Sequence, residues 1–303
     1  MRLSIGITSY NQGRYVEDTI QSLLNQSVLP DEIVVSDNHS TDGSYDILQK
    51  YSDRIKVIQP LSHLPYYEHI NFLLKNLKGD WVMLAASDDT YLPNMVYECY
   101  KHLDEESVAI SFGFNLIDAE DRYKGTKKYC RWLRNSLQFP DNCINSLCYN
   151  SIPMWSTIYK RKSLMAIGGF GDLLVHFDHD WATTIKLSRQ GCFRRIPNVV
   201  ICNYRAEYRP DVERIRLEGE TKDTAILCNT IIKNIFNEKQ IDMSLLDKAR
   251  LFHLKKKINL YKKYGREYSE VFREFYIDNE RESSFTKWDL IFLLYKTKKC
   301  RLW

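Results

Sequence analysis

The sequence contains no long apolar run, no paired-cysteine motif and no low-complexity segment. A membrane-spanning helix needs about 20 predominantly apolar residues, and no stretch of this chain reaches that length. The apolar stretch in MRLSIGITSYN is too short for a signal peptide and continues directly into a folding pattern. Eight cysteines without a CxxC motif or metal-finger spacing predict reduced thiols rather than a disulfide framework. These absences predict a cytoplasmic globular protein.

Excess charge of either sign is also absent from most of the chain. Residues 251–303 hold 13 Lys and Arg against 7 Asp and Glu, whereas residues 1–250 hold 30 against 32. Basic residues alternate with aromatic and aliphatic residues at 255–268 and 287–303. This pattern is typical of an amphipathic helix, which either packs on the rest of the protein or contacts an anionic membrane. We favour peripheral contact with the inner face of the cell membrane. Nucleic acid is not an expected partner, because no recognised binding motif accompanies the charge.

Strand and helix patterns alternate along the first ninety residues, and less regularly thereafter. The predicted strands cover residues 3–7, 32–36, 55–59, 81–86, 108–118, 154–161 and 196–205. A further helix is predicted from Trp181 to Leu187, and the pattern is mostly helical from about Val212 onward. Alternation of this kind predicts an α/β fold with mostly parallel strands, right-handed crossovers and helices on both faces of the sheet.

Polar residues follow three of the predicted strands at the point where each strand ends. These segments are TSYN (8–11), SDN (36–38) and SDD (87–89). Ligands of open parallel sheets bind beyond the carboxyl ends of the strands. We therefore expect the three segments to meet at one edge of the sheet and to line a ligand site there.

Asp88 and Asp89 place two adjacent carboxylates at the end of an apolar run. Burial of an unpaired charge is unfavourable, so such a pair faces solvent, a metal or a cationic partner. A solvated turn in which one Asp caps the next helix is the simplest alternative, but a cap accounts for only one of the two. Since no run of Lys or Arg lies nearby, the pair suits Mg²⁺ or Mn²⁺ bridging to phosphates.

Asp37 follows another buried strand, inside the segment SDNHSTDGS. An Asx turn is a common use of Asp in such a composition. With Thr8 on the neighbouring strand, we favour a second role, a hydrogen bond from a nucleobase or ribose to Asp37. His39 is interpreted as an ordinary loop residue, since no His or Cys partner has metal-site spacing.

Five segments of the chain resemble the inverting family 2 glycosyltransferases of bacterial polysaccharide synthesis, which have the GT-A fold. The segments are TSYNQGRYVEDTIQSLLNQS, EIVVSDNHSTDGS, LAASDDTYLP, IGGFGD and FDHDWATTIKLSRQG, in the family's order over roughly residues 1–205. The resemblance implies a nucleotide-sugar-binding half at 1–105, an acceptor-binding half at 106–211 and a helical basic extension at 212–303.

The resemblance also implies roles for the residues at the sheet edge. Thr8 and Asp37 match residues that contact the base of a nucleoside diphosphate sugar, and Tyr10 is included in this donor-binding set. Asp88 and Asp89 match the acidic DxD motif that binds ribose and Mn²⁺ or Mg²⁺, and we assign the metal chiefly to Asp89. Ala86 stands where the fuller DxDD motif has its outer acid, so the motif is reduced to a pair.

A second acidic motif of the family supplies the general base. Counting back from Gly191 aligns His179 with the family's Glu and Asp180 with its Asp. Asp180 is the predicted base on the acceptor hydroxyl, with Asp178 as the second choice. The alternative is that Asp180 only caps the helix beginning at Trp181. A carboxylate at a helix N-terminus stays ionised, so the two roles are compatible.

Ile70 stands where the family often has an arginine before the residue that matches Asn71. Contacts with the donor phosphates must then come from elsewhere, and Arg205 and Arg209 are candidates. Trp155 and Trp181 are candidates for stacking on a sugar, although large aromatic residues belong to a core more often.

The implied function is transfer of a sugar from a nucleoside diphosphate sugar, with UDP favoured, to an acceptor hydroxyl. We expect the acceptor to be a glycan or lipid-linked glycan of a surface polysaccharide. A nucleotide-sugar-binding protein without catalysis is the main alternative, because both acidic motifs are altered. A nucleotidyltransferase is less favoured, because TSYNQGR is not a Gly-rich basic phosphate loop.

Overall fold

The computed structural model describes residues 1–127, 136–137, 152–172 and 179–206. Ten strands occur in these ranges: β1 (Leu3–Ser9), β2 (Glu32–Asp37), β3 (Lys56–Ile58), β4 (Trp81–Ala86), β5 (Thr90–Tyr91), β6 (Ser107–Ile117), β7 (Tyr123–Lys127), β8 (Ser136–Leu137), β9 (Thr157–Lys160) and β10 (Cys192–Arg205). The same ranges hold six α-helices and a 3-10 turn at Met154–Ser156: α1 (Val16–Leu24), α2 (Ser44–Gln49), α3 (Tyr66–Asn76), α4 (Met95–His102), α5 (Arg161–Ala166) and α6 (His179–Leu187).

The strands form one mixed sheet in the order β3-β2-β1-β4-β9-β6-β10-β5. β1 to β4 are parallel, and β6 and β10 are parallel to each other. β9 runs antiparallel between β4 and β6, which leaves those two strands pointing in the same direction. β5 and β8 pair antiparallel with β10, and β7 pairs antiparallel with β6. The carboxyl ends of β1, β2, β4, β6 and β10 therefore lie at one edge.

Helices cover both faces of this sheet, because the central strands are apolar on both sides. Val34 and Val35 of β2 are adjacent and fully buried, yet they belong to different hydrophobic clusters. The first cluster packs α1, α2 and α4 against one face, and the second packs α3, α5 and α6 against the other. Continuous apolar runs are typical of parallel strands buried on both faces. The predicted α/β fold is confirmed.

Several predicted elements differ from the observed ones. The segment 154–161, predicted as one strand, begins with the 3-10 turn, continues as β9 and then starts α5. β7 is not among the predicted strands, because its side chains are largely exposed and carry no apolar alternation. α6 begins at His179, two residues before the predicted start.

No helix within the described ranges is long and apolar enough to cross a membrane. The predicted helical extension lies outside the described residues, and the three predicted domain ranges stay predictions.

Candidate functional site at the carboxyl edge of the sheet

The loops after β1 and β2 are joined to each other at the carboxyl edge. The amide of Asn38 donates to the carbonyl of Ser9 (2.9 Å), and the side-chain oxygen of Asn11 accepts from the amide of Thr41 (2.9 Å). Parallel register puts Thr8 of β1 opposite Ser36 of β2 on one side and opposite Ala86 of β4 on the other. The three polar segments predicted to meet therefore meet at this edge.

A pocket of about 410 Å³ opens where these segments meet. The predicted residues Thr8, Tyr10 and Asp88 all line it. Other residues of the three segments and their neighbours, together with two further places (residues 63–69 and Met154), complete its wall: Ser9, Gln12, Asn38, His63, Leu64, Tyr66, His69, Ala86, Ser87 and Met154. The pocket is the structural counterpart of the ligand site predicted from the strand ends.

Asp37 lies behind the pocket wall and is fully buried. Its Oδ2 accepts hydrogen bonds from the amide of Ser40 (3.0 Å) and from Nε2 of Gln59 (2.9 Å). Its Oδ1 is buried and has no hydrogen-bond partner among the described residues. The Ser40 contact is the local turn bond that the sequence allowed as the alternative role. Contact between Asp37 and a nucleobase stays a prediction, with Asn38 as the neighbour that reaches the pocket.

Asp88 and Asp89 occupy different environments although they are adjacent. Asp88 is half-buried and lines the pocket, whereas Asp89 is fully buried. Oδ1 of Asp89 accepts from the amide of Arg205 (2.8 Å), and Oδ2 has no hydrogen-bond partner in the described part of the chain. Burial and the neighbouring charge of Asp88 raise the pKa of Asp89 well above its usual range. Asp88 thus presents its carboxylate to the pocket, whereas the carboxylate of Asp89 is enclosed.

Arg205, a candidate for phosphate contact, is instead enclosed beneath this loop. Its side chain is 4% exposed, and its Nε donates to the carbonyl of Asp88 (2.8 Å). Its guanidinium also lies 4.4 Å from the ring centre of Tyr15 and 2.7 Å from a carboxylate oxygen of Asp121. Arg205 therefore supports the acidic loop from below. Arg209, the other candidate, lies outside the described residues.

The start of α3 is fixed to the same edge by paired hydrogen bonds. The side chain of Asn38 donates to the carbonyl of Leu64 (2.8 Å) and accepts from its amide (2.9 Å). One turn into the helix, His69 contacts Oγ of Ser36 through Nε2 (2.8 Å). Burial lowers the pKa of His69 to about 4, so the imidazole is neutral at physiological pH. His39, interpreted as a loop residue, contacts the carbonyl of Pro60 (3.0 Å).

The predicted base, Asp180, lies in the first turn of α6 and is half-buried. Its Oδ1 accepts from the amide of Trp181 (2.9 Å). Because the helix begins at His179, Asp180 is not the N-cap residue that the alternative role required. Burial raises the pKa of Tyr66, and the charges of Asp180 and Asp88 each raise it further. Asp180 and the pocket-lining Asp88 are therefore within electrostatic reach of one group. Asp178, the second choice for the base, lies outside the described residues.

A turn at residues 168–171 connects α3 to α6 beside Asp180. The side chain of Asn71 donates to the carbonyl of Phe170 and accepts from its amide, both at 2.8 Å. The amide of Gly171 donates to Oγ1 of Thr183 (2.6 Å), which in turn donates to the carbonyl of His179 (2.7 Å). These bonds hold the first turn of α6, and with it Asp180, against α3.

The two candidate tryptophans belong largely to the core. Trp155 stacks on Tyr204 with ring centres 4.2 Å apart and meets Phe114 edge to face. Trp181 is 9% exposed. Neither is among the residues that line the pocket.

Sequence reasoning missed Tyr66 and His69 as parts of the pocket wall. Pro65 directly before an apolar periodic stretch is a signal for a helix start. That signal would have brought the first turn of α3, and hence Tyr66, to the carboxyl edge.

The described residues contain no group of three His, Cys, Asp or Glu that could hold a metal ion. The oxygens that could bind a metal ion here are those of the pocket-lining Asp88 carboxylate and Oδ2 of Asp89 behind it, which has no hydrogen-bond partner among the described residues. Hard carboxylate oxygens fit Mg²⁺ or Mn²⁺, which usually take their remaining ligands from substrate phosphates and water. The site thus fits a metal ion that arrives bound to a diphosphate, or one whose remaining ligands a diphosphate supplies.

The profile described as Glycosyl transferase family 2 matches residues 4–167. TuaG of Bacillus subtilis, a glycosyltransferase named for teichuronic acid biosynthesis, is 34% identical over 119 residues, which are 38% of this chain and 47% of TuaG. An uncharacterized glycosyltransferase of Rickettsia typhi is 27% identical over 200 residues, 62% of this chain and 58% of that protein. The chain thus spans about half the length of these relatives.

Solved structures of the same fold include TarS of S. aureus in complex with UDP-GlcNAc, with a TM-score of 0.67 and 18% identity. The match covers 92% of this chain and 79% of that one. The mannosyltransferase PcManGT of Pyrobaculum calidifontis, in complex with GDP-Man and Mn²⁺, has a TM-score of 0.57 and 16% identity, covering 100% and 81% of the two chains. The family profile matches more than half of the sequence, so the chain belongs to glycosyl transferase family 2, and its described residues have the GT-A fold.

Proposed function

We propose that the protein transfers a sugar from a nucleoside diphosphate sugar to an acceptor hydroxyl, with inversion at the anomeric carbon. The observation that carries this proposal is the pocket at the carboxyl edge, with Asp88 on its wall and Asp180 in electrostatic reach of the same phenol. A donor bound in this pocket extends from the ends of β1 and β2, past Asp88, toward α6. Family membership supports a nucleotide sugar as the donor.

Thr8 and Tyr10 on the pocket wall, together with Asp37 behind it, form the proposed nucleoside end of the site. Asp88 is the proposed ligand of Mg²⁺ or Mn²⁺, with Asp89 behind it, because only Asp88 of the two lines the pocket. When bound, the metal neutralises negative charge on the leaving diphosphate. The assignment of the metal chiefly to Asp89 stays a sequence prediction that competes with this one.

Asp180 is the proposed general base. The acceptor oxygen attacks the anomeric carbon from the face opposite the diphosphate, and its proton passes to the Asp180 carboxylate as the bond to the diphosphate oxygen breaks. General base catalysis typically contributes about 10²–10⁴-fold. Its position in the first turn of α6 favours the ionised form that can accept this proton.

The proposed acceptor is a glycan or lipid-linked glycan of a surface polysaccharide, and the name of TuaG supports this class. Contact of the basic tail with the inner face of the cell membrane is part of the same proposal. Sedimentation with anionic vesicles tests it: the full chain should co-sediment, and a chain lacking residues 283–303 should not. Equal sedimentation of the two would reject the membrane contact.

A donor screen tests the proposed function. The full chain with Mn²⁺ should bind UDP-GlcNAc or GDP-mannose, detected as an increase in its unfolding temperature, and should slowly release the nucleoside diphosphate. Binding and release should disappear in chelator. Full activity in chelator would overturn the metal role, and donor binding without any turnover on a supplied glycan acceptor would favour the non-catalytic binding protein.

A further inference from the structure

Tyr66 lies on the pocket wall at the start of α3. It is the first residue of the helix and follows Pro65, whose φ of −53° suits a helix start. The two hydrogen bonds between Leu64 and the side chain of Asn38 fix the backbone just before it. A side chain on a backbone held in this way is suited to orienting a ligand, because less freedom remains to be lost on binding.

Tyr66 also joins the pocket wall to the helix that carries Asp180. Its ring lies 6.3 Å from the ring of His179, and the ring of Tyr67 stacks on the same imidazole at 5.3 Å. His179 directly precedes Asp180, so the two tyrosines lie beside the first turn of α6, which carries the predicted base. The same Tyr66 side chain lines the pocket together with Asp88.

The hydroxyl of Tyr66 has no hydrogen-bond partner in the described part of the chain. Tyr66 is 53% exposed where it borders the open pocket. Partial burial, with the negative charges of Asp180 and Asp88, raises the pKa of Tyr66. The phenol is therefore a neutral hydrogen-bond donor that an acceptor on a bound ligand can use.

We propose that Tyr66 is a donor-binding residue whose hydroxyl donates a hydrogen bond to the sugar being transferred. The inference rests on the proposed function. The anomeric carbon is bonded to the diphosphate beside Asp88 and is attacked by the hydroxyl that Asp180 activates. The sugar ring therefore lies between these two carboxylates, which is where the unpartnered phenol also lies. An oxygen of the sugar ring or of one of its hydroxyls is the acceptor that this position offers.

The test compares binding of nucleoside diphosphates with binding of nucleotide sugars. In the Tyr66→Phe variant of the full chain, titrated with Mn²⁺ present, the Kd for UDP and GDP should stay within about twofold of wild type. The Kd for UDP-GlcNAc or GDP-mannose, whichever the wild type binds, should rise roughly 5–10-fold, as expected for one hydrogen bond. Phe retains the ring contact with His179, so the unfolding temperature should not change.

Tyr97→Phe is the matched control, since Tyr97 is an exposed tyrosine of α4 that does not line the pocket. Its affinities should equal those of the wild type. An equal loss of affinity for UDP and UDP-GlcNAc in Tyr66→Phe, or no loss for either, would overturn the assignment of Tyr66 while leaving the proposed function intact. A wild-type protein that binds neither nucleotide sugar would overturn the proposed function and this inference together.

Discussion

At the residue scale, the adjacent residues Asp88 and Asp89 have different roles: Asp88 is the proposed binding residue, and Asp89 is a structural one. Asp88 lines the pocket, whereas Asp89 accepts a hydrogen bond from the amide of Arg205 beneath it. The carbonyl of Asp89 accepts a further hydrogen bond from Oγ1 of Thr19 (2.7 Å). Asp89 thus ties the acidic loop to β10 and α1, and this arrangement holds Asp88 at the pocket.

Substitution of each aspartate should separate these roles. Asp88→Ala should abolish Mn²⁺-dependent binding of nucleotide. Asp89→Ala should lower the free energy of unfolding by about 1–3 kcal/mol, because the buried amide of Arg205 loses its acceptor. Urea denaturation and nucleotide titration measure the two effects.

Asp89→Asn is the control for this pair, since its amide oxygen can still accept from Arg205. We expect it to retain most of the stability that Asp89→Ala loses. If Asp89→Asn lost metal-dependent binding while Asp88→Ala kept it, Asp89 and not Asp88 would be the metal ligand.

His69 makes the stability of the pocket wall sensitive to acid. Burial lowers the pKa of His69 to about 4, below the unfolded value of about 6.5, so the unfolded chain binds the proton more tightly. Stability should fall as the pH is lowered from about 6.5 to about 4, by up to about 3 kcal/mol from this residue. His69→Gln should reduce this slope in urea titrations at several pH values. An unchanged slope in His69→Gln would contradict the assignment.

At the element scale, the turn at residues 168–171 is the connection that sets α6 relative to α3. Gly168, Gly169 and Gly171 all have positive φ, which other L-residues adopt only with strain. Lys186 of α6 adds a hydrogen bond to the carbonyl of Gly171 (3.0 Å). The turn therefore depends on positive φ angles at three glycines and on specific hydrogen bonds, which few other sequences could provide.

Two glycines of this turn provide a matched pair of substitutions. A Cβ on Gly169 would lie 2.1 Å from Oδ1 of Asn71, whereas a Cβ on Gly168 would meet nothing within 4 Å. Gly168→Ala should lower the free energy of unfolding by about 1–2 kcal/mol through backbone strain alone. Gly169→Ala should lower it further and reduce turnover, because the bonds between Asn71 and Phe170 must break. Equal effects of the two substitutions would show that the contact with Asn71 is not important.

At the scale of the whole molecule, the strand ends were the part of the fold that could be predicted. Apolar runs followed by TSYN, SDN and SDD indicated both the parallel sheet and the edge at which the pocket lies, and Thr8, Tyr10 and Asp88 line it. These inferences succeeded because buried parallel strands leave a strong apolar signal and because their direction is fixed by the crossovers.

Other features of the site depend on tertiary contacts that leave little trace in the sequence. Nothing local to Asp89 shows that its carboxylate is enclosed, because its partner Arg205 is 116 residues away along the chain. The enclosed guanidinium of Arg205 is likewise set by contacts with Asp88 and Tyr15. The contribution of Tyr66 and His69 required the start of α3 to be placed at the edge, which an apolar pattern fixes only within a few residues.

The measurement that tests the central claim most directly is single-turnover transfer by Asp180→Asn. With donor, Mn²⁺ and a glycan acceptor supplied, we predict a fall in kcat of about 10²–10⁴-fold and a donor Kd within twofold of wild type. Asp178→Asn, assayed in parallel, should retain wild-type turnover. A fully active Asp180→Asn, or a loss of turnover in Asp178→Asn alone, would contradict the assignment of Asp180 as the base.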